Sequence, residues 1–317
     1  MFSTETRSEN GFDIVVLKDH ASGTSVEIIP ACGAILHGFI IHHEGNTLNV
    51  IDHYKNKQEF DEAVEDKGFK SCKLSPFVCR MRRATYEFGE KKYTVNKFFL
   101  GTNAHHGLIY DAPFDIISQK ATAEAASLEL LYAYKATDSG YPFQYDCRVL
   151  YELKAGNRLT VTTFIKNNES AAIPVADGWH PYFTFGGSIN ELQLQFNSHE
   201  TLEFDAELLP TGKKLPYDHF SRPTPIGTLH LDNSFMVDTD APQPILRLRD
   251  LAKKLQLEIS TDKSYPVLQL YTPEHRQSIA IENLSAAPDA FNNHIGLTVL
   301  QGGKEAVFST TYALSAF

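Results

Sequence analysis

One segment of the chain combines a titratable side chain with the walls of a pocket. His180 lies in the segment 177–183 (DGWHPYF), which holds the only tryptophan of the chain, two further aromatic residues and a proline. Aromatic faces and a few placed polar groups are what a pocket for a sugar ring requires. Pro181 restricts the neighbouring backbone, so the imidazole would be held at the end of a strand. An alternative of similar weight is a hydrophobic strand end carrying a hydrogen-bonded core histidine.

Glu282 is the second candidate for proton chemistry. It ends the apolar run 279–282 (IAIE) and is followed by the segment 287–292 (APDAFN), which places a carboxylate at the end of an apolar strand. A carboxylate in such surroundings is expensive to bury unless it has a partner or a purpose. A purely structural role is therefore less favoured for Glu282 than for the other candidates.

Three further polar residues lie in short segments whose individual signals are weak. They are Arg80 of the segment 75–80 (SPFVCR), His106 of 103–108 (NAHHGL) and Asp232 of 232–235 (DNSF), which we interpret as a polar loop. Each has an ordinary alternative. Arg80 with Arg82 and Arg83 fits a solvated basic surface, adjacent histidines fit a loop or cap, and Asp before Asn commonly forms a turn.

Motifs for metals, nucleotides and covalent nucleophiles are missing. The sequence has no HExxH, no Cys/His quartet, no GxGxxG after a strand, no GxxxxGK[ST] and no GxSxG. The adjacent pairs His42-His43 and His105-His106 would point to opposite faces if their backbone were extended. We therefore expect no metal site and no cofactor.

The elements that must position these side chains are strands. The segment 143–153 alternates apolar and polar residues, and after a turn at 155–157 the segment 158–166 does the same. This pattern predicts a long antiparallel hairpin. Strands are also predicted at 24–30 and 34–42 around a turn at 31–33, and at 192–196, 255–259, 267–271, 279–282 and 307–314.

Helical periodicity is confined to 56–66, where Phe60 and Val64 lie four residues apart. The amphipathic helices of βαβ units are missing, so the pattern predicts an all-β fold, an antiparallel β-sandwich formed by one domain of residues 1–317. We interpret the proline-rich polar segment 210–225 as an excursion across the surface.

Composition limits the partners. The chain has 317 residues, 29 basic and 39 acidic, for a formal charge of −10, which works against binding to nucleic acid or anionic membranes. No apolar run is long enough to span a bilayer, and residues 1–9 do not resemble a secretory signal. The four cysteines are scattered, so we expect free thiols in a cytoplasmic protein, either a monomer or a homodimer.

Taken in order, these segments resemble the aldose 1-epimerase family, the galactose mutarotases and their relatives. The segments that carry the resemblance are 76–80 (PFVCR), 106–107 (HG), 180–183 (HPYF), 232–235 (DNSF), and Glu282 with 288–292 (PDAFN). The resemblance covers nearly the whole chain and implies the large β-sandwich of that superfamily. Two departures bear on the sugar preference: Cys79 stands where the family commonly has Asn, and Thr184-Phe185 where it has Asn-Leu.

The resemblance implies interconversion of the α and β anomers of a free aldohexose without a cofactor. Glu282 would be the base and His180 the acid, His106 would orient the C1 hydroxyl or ring oxygen, and Arg80 and Asp232 would bind other hydroxyls. A modest upward shift of the pKa of His180 from about 6.5 would keep its imidazole protonated near neutral pH. The alternatives are a sugar-phosphate epimerase that uses three arginines as a clamp, and a non-catalytic carbohydrate-binding protein.

Overall fold

The computed structural model covers residues 1–317, and its regular structure is almost entirely strand. A 3₁₀ turn spans Arg82–Ala84. The elements of the first third of the chain are β1 (Phe2–Glu9), β2 (Phe12–Asp19), β3 (Ser25–Ile29), β4 (Ile35–His43), β5 (Asn46–Asn49), α1 (Lys57–Ala63), β6 (Lys73–Leu74), β7 (Arg80–Met81), β8 (Thr85–Phe88), β9 (Lys91–Thr94), β10 (Phe99–Leu100) and β11 (Asn103–His105).

The rest of the chain adds strands and one short helix. Neither helix of the protein has the length and apolar character of a membrane span. A second 3₁₀ turn spans Ile189–Glu191. The elements are β12 (Asp115–Ala121), β13 (Ala125–Tyr134), β14 (Tyr145–Lys154), β15 (Arg158–Asn167), β16 (Ile173–Val175), β17 (Gly178–Trp179), β18 (Tyr182–Phe183), β19 (Gln193–Phe196), β20 (Ser198–Phe204), β21 (Pro210–Pro216), β22 (Thr224–Pro225), β23 (Asp232–Val237), β24 (Leu246–Asp250), β25 (Leu255–Thr261), β26 (Val267–Tyr271), β27 (Ile279–Leu284), α2 (Ala290–Asn293), β28 (Thr298–Leu300) and β29 (Glu305–Ala316).

Two large antiparallel sheets face each other across the main core. One has nine strands in the order β12-β13-β14-β15-β29-β25-β24-β19-β22, and the other has eight, in the order β21-β20-β23-β26-β27-β17-β6 with β18 also paired to β27. A single apolar cluster of 63 buried residues includes Tyr151 and Val161 from the first sheet and Leu268 and Ile281 from the second. The predicted antiparallel β-sandwich is therefore confirmed.

Smaller sheets complete the architecture. Strands β1 to β5 form a five-stranded sheet in sequence order, β10, β11 and β7 form a three-stranded sheet, and β8-β9 and β16-β28 form pairs. The three-stranded sheet matters most for function, because it joins the segments around Arg80 and His106: Arg80 of β7 lies opposite His105 of β11.

The predicted hairpin is present as β14 and β15. The ladder runs without interruption from Tyr145 opposite Asn167 to Lys154 opposite Arg158. Alternate residues of both strands are buried, as period-two patterning requires when one face of a sheet meets the core. Phe143, which the sequence pattern placed in the first strand, lies before it.

The predicted helix at 56–66 is confirmed in a shorter form. The side chain of Asn56 caps α1 by accepting a hydrogen bond from the backbone N–H of Glu59 at 2.8 Å, and Phe60 is the buried residue of the helix. The segment 210–225, which was interpreted as an excursion across the surface, contributes strands to both large sheets. It contains the exposed strand β21 at the edge of the eight-stranded sheet and the short strand β22 at the edge of the nine-stranded one.

The turn between β3 and β4 gives a stability prediction. Gly33 has a φ of +67°, and a Cβ at this position would lie 2.0 Å from the carbonyl oxygen of Tyr110. We expect Gly33→Ala to lower the free energy of unfolding by more than ~2 kcal/mol, because left-handed strain adds to a clash with backbone. Denaturant unfolding measures this. Gly156→Ala is the control, since Gly156 has a similar φ with nothing within 4 Å. Equal losses in the two variants would contradict the clash.

Candidate active site

A cavity of about 300 Å³ opens over the eight-stranded sheet, and it brings together all five residues singled out in the sequence. Strands β27, β26 and β23 form its floor, and the segments around β7 and β11 form one wall. Further lining residues include Phe69, Cys79, Tyr182, Gln269 and Tyr271. The five side chains lie up to about 200 positions apart in the chain, so only the sheet topology brings them together.

Glu282 and His180 face each other inside this cavity. The Oε1 atom of Glu282 lies 3.3 Å from Nε2 of His180, and both side chains are almost completely buried. Glu282 is the fourth of the six residues of β27, so it lies within the strand and not at its end as the sequence suggested. Its other carboxylate oxygen, Oε2, is buried without a hydrogen-bond partner in the protein. A buried acceptor of this kind points to a hydrogen-bond donor supplied by a ligand.

The backbone of His180 is fixed from outside the cavity. Its N–H donates to the carbonyl of Cys72 at 3.2 Å, and its carbonyl accepts from the N–H of Ser71 at 2.8 Å. The ring stacks on Tyr182 with centroids 5.0 Å apart, and the ring of His106 meets it edge-on at 4.9 Å. The imidazole orientation is therefore set by backbone hydrogen bonds and aromatic packing, while its Nδ1 has no partner in the protein.

Burial shifts the protonation of this pair toward the uncharged forms. The pKa of Glu282 is raised well above its usual value, first by burial and then by the charge of Asp232, while Arg80 opposes the shift. Burial lowers the pKa of His180 to about 4. The expectation of an upward shift for His180 was therefore wrong. Removal from water dominates instead and disfavours the imidazolium.

Asp232 is the first residue of β23, so its interpretation as a loop residue was wrong. Its Oδ1 atom accepts a hydrogen bond from Nε2 of Gln269 at 2.9 Å. Gln269 lies opposite Glu282 across the β26–β27 ladder, and the hydroxyl of Ser234 donates to its Oε1, which fixes the amide orientation. Burial raises the pKa of Asp232, and the Arg80 guanidinium counteracts this.

Gln269 is a site residue that the sequence analysis missed. It was counted within the predicted strand 267–271 because its neighbours are apolar. A single polar residue in such a strand is the same signal that identified Glu282, since a polar group on a buried face needs a partner or a ligand.

Both His105 and His106 line the cavity, because the backbone is not extended here and the opposite-face geometry of an extended pair does not apply. His106 has a φ of +59°, so the backbone leaves the extended conformation and the two ring centroids lie 3.7 Å apart. Burial lowers the pKa of both rings well below the usual value. They are therefore neutral imidazoles at neutral pH, able to donate or accept a hydrogen bond.

The arginine cluster separates in the structure. Arg80 lines the cavity, whereas Arg82 pairs with Asp205 at 2.6 Å and Arg83 is exposed. A clamp of three guanidinium groups on one phosphate would require them to lie together, and they do not.

No group of three or more His, Cys, Asp or Glu side chains could hold a metal ion, and all four cysteines are free and buried.

The sandwich and the cavity on its eight-stranded sheet define a galactose mutarotase-like fold. A galactose mutarotase-like protein from Clostridium acetobutylicum superimposes with a TM-score of 0.87, covering 100% of this chain and 99% of that chain at 15% identity. Galactose 1-epimerase from Lactobacillus acidophilus NCFM gives a TM-score of 0.82, covering 100% of this chain and 98% of that chain at 18% identity.

The chain belongs to the aldose 1-epimerase family, whose family model matches residues 13–313. It is also similar to the uncharacterized protein YihR of Escherichia coli K12, with 26% identity over 243 residues, which is 73% of this chain and 74% of that protein. The resemblance inferred from the sequence motifs is therefore confirmed.

The burial of His180 predicts an unusual titration. Its ring should stay neutral from pH 7 down to about pH 4, because the cavity disfavours the imidazolium. Histidine ring signals followed by NMR against pH measure this, with His180→Gln identifying the signal. A midpoint close to the reference value of about 6.5 would show that the ring is hydrated or paired with a carboxylate charge.

Proposed function

We propose that this protein is an aldose 1-epimerase that interconverts the α and β anomers of a free aldohexose. The observation that carries the proposal is the Glu282–His180 pair, 3.3 Å apart within a cavity of about 300 Å³. Anomer interconversion needs one group that takes the proton of the C1 hydroxyl and one that protonates the ring oxygen, and the two side chains of this pair are of the types that can do both.

The proposed reaction conserves protons. Glu282 takes the proton of the C1 hydroxyl, the bond between C1 and the ring oxygen breaks, and His180 protonates that oxygen to give the open aldehyde. Rotation about the C1–C2 bond presents the other face of the carbonyl. Ring closure then returns the proton of the C5 hydroxyl to His180, while Glu282 protonates the new C1 oxygen, so each group ends in its starting state.

Before the reaction, Glu282 and His180 together hold one titratable proton. Burial favours a neutral pair, with the proton on Glu282 and an uncharged His180. Transfer of that proton across the 3.3 Å contact yields the carboxylate base and the imidazolium acid without any exchange with water. Arg80 assists this transfer because its positive charge lowers the pKa of Glu282.

The remaining residues are proposed to bind and orient the sugar. His106 lies edge-on to His180 and would contact the C1 hydroxyl or the ring oxygen. Arg80, Asp232 and Gln269 present a donor, an acceptor and an amide to the other hydroxyls. Because anomer exchange already proceeds in water, positioning accounts for much of the proposed acceleration.

A free sugar fits the site better than a sugar phosphate. Arg80 is the single arginine or lysine that lines the cavity, and Glu65, Asp66, Asp232 and Glu282 also line it. This balance disfavours a phosphate dianion. We propose that the protein needs neither a metal nor an organic cofactor for this reaction. We also propose that it acts in the cytoplasm, where its four free cysteines stay reduced, as a monomer or a homodimer.

The central test is Glu282→Gln, which keeps the shape of the side chain and removes the proton acceptor. We expect kcat to fall by about 10² to 10⁴ while sugar binding persists. Polarimetry of freshly dissolved α-glucose and α-galactose measures the rate, and near-UV circular dichroism checks the fold. His180→Asn should cost a similar factor, and the double variant much less than the product of the two. Near-normal mutarotation by folded Glu282→Gln would leave a sugar-binding protein at most.

Arg80→Ala tests how the sugar is bound. We expect KM for a neutral aldose to rise by about tenfold or more, because a charge-assisted hydrogen bond to a hydroxyl is lost. Arg83→Ala is the matched control and should change KM little, since Arg83 is exposed outside the cavity. If both variants instead lose turnover of glucose 6-phosphate and keep that of glucose, the phosphate alternative is correct.

A further inference from the structure

The segment that follows Glu282 in the sequence does not reach the cavity. Residues 288–292 (PDAFN) turn away after β27 and pack beneath the loop that carries Arg80. Phe291 fixes the segment in the core, with its ring centroid 4.9 Å from that of Tyr86 and 6.1 Å from that of Phe77. The chain thus runs from the proposed base directly to the support of the proposed sugar-binding arginine.

Asp289 contacts the Arg80 loop through both backbone and side chain. Its N–H donates to the carbonyl of Arg80 at 2.7 Å, and its Oδ1 accepts from the N–H of Arg82 at 2.9 Å. The residue is 8% exposed and adopts a left-handed φ of 61°. Asn292 holds the same carboxylate oxygen at 2.7 Å and also donates to the carbonyl of Thr85 at 2.9 Å.

The loop needs such support because its own conformation is strained. Cys79, Arg83 and Ala84 all have positive φ, between 50° and 54°. Left-handed non-glycine residues cost of order 1–2 kcal/mol each and persist when their surroundings enforce them. On one side the loop is held by β11, where Arg80 lies opposite His105. Asp289 holds the backbone on both sides of Met81.

Arg80 also depends on its backbone for direction. Arg82 is tied to Asp205 and lies near Glu207 and Asp289, whereas Arg80 has no ion pair with a carboxylate. Its side chain lines the cavity without a salt bridge, so the position of the loop determines where the guanidinium can reach. A loop free to relax at Asp289 would let this long side chain adopt other rotamers.

We infer that Asp289 is a positioning residue for Arg80: its hydrogen bonds fix the loop, so that the guanidinium contacts the sugar in one orientation. This inference rests on the proposed function, since Arg80 is a binding residue only if the cavity binds a sugar. It assigns to the 288–292 segment a role in substrate affinity, exerted through the position of the Arg80 guanidinium.

The test compares Asp289→Gly with Asp289→Asn by polarimetry over a range of α-glucose concentrations. Glycine removes the carboxylate and adopts a positive φ without strain, so the variant is designed to fold. We expect KM to rise about tenfold with kcat within about threefold of wild type. Asparagine tolerates the same φ and keeps an Oδ1 acceptor for the Arg82 N–H, so the KM of Asp289→Asn should lie within about twofold of the wild-type KM.

A coupling measurement separates positioning from general stability. In an Arg80→Ala background, Asp289→Gly should change KM by less than about twofold, because the group it positions is already absent. A lowered melting temperature with unchanged KM in Asp289→Gly would overturn the inference and leave a structural residue. If that variant does not fold, Asn292→Ala, which releases the Asp289 carboxylate from one amide, should raise KM in the same way, and an unchanged KM there also contradicts the inference.

The wild-type protein distinguishes the two levels of the proposal. If it accelerates mutarotation and the Asp289 variants lose stability without a change in KM, only the inference about Asp289 is wrong. If the wild type leaves mutarotation of glucose and galactose unchanged, the proposed function fails, and the role of Asp289 in sugar affinity fails with it.

Discussion

Removal of the Glu282 carboxylate from water is the constraint on which the rest of the site depends. A carboxylate buried in an apolar strand is costly unless it is protonated, paired or hydrogen-bonded. Here its surroundings supply a proton acceptor in His180 at 3.3 Å and a positive charge in Arg80, whereas the charge of Asp232 raises its pKa further. Burial favours the neutral forms of both groups, whereas Arg80 favours the carboxylate, so the charge state of the pair depends on this balance.

The sheet supports this arrangement from its core side. Next to β17, which precedes His180, Lys73 and Asp177 form a completely buried ion pair at 2.6 Å, and Asp177 also accepts from the hydroxyl of Tyr265 at 2.7 Å. The Lys73 ammonium lies 4.3 Å from the centroid of the Trp179 ring. A slip in the register of β17 would leave both charges unpaired in the core, so this ion pair fixes the strand that immediately precedes His180.

The sequence predicted those features that local patterns encode. Alternation identified the β14–β15 hairpin, and single polar residues among apolar or aromatic neighbours identified Glu282 and His180, because each signal lies within one segment. The pKa of His180 was predicted with the wrong sign because burial arises from strands distant in sequence. The orientation of His106 was missed because it depends on a single positive φ, which no pattern of side chains specifies.

The charge balance of the cavity connects binding with proton transfer. Arg80 is the single lysine or arginine among the lining residues, and it lowers the pKa of both Asp232 and Glu282 against the effect of burial. A guanidinium bound to a phosphate would have its charge neutralised and could no longer counter the burial of these carboxyls. A neutral hydroxyl that accepted a hydrogen bond from Arg80 would leave its charge intact. Under the proposed function, the residue that would bind the sugar also favours the carboxylate form of Glu282, and this dual role favours an uncharged ligand at that position.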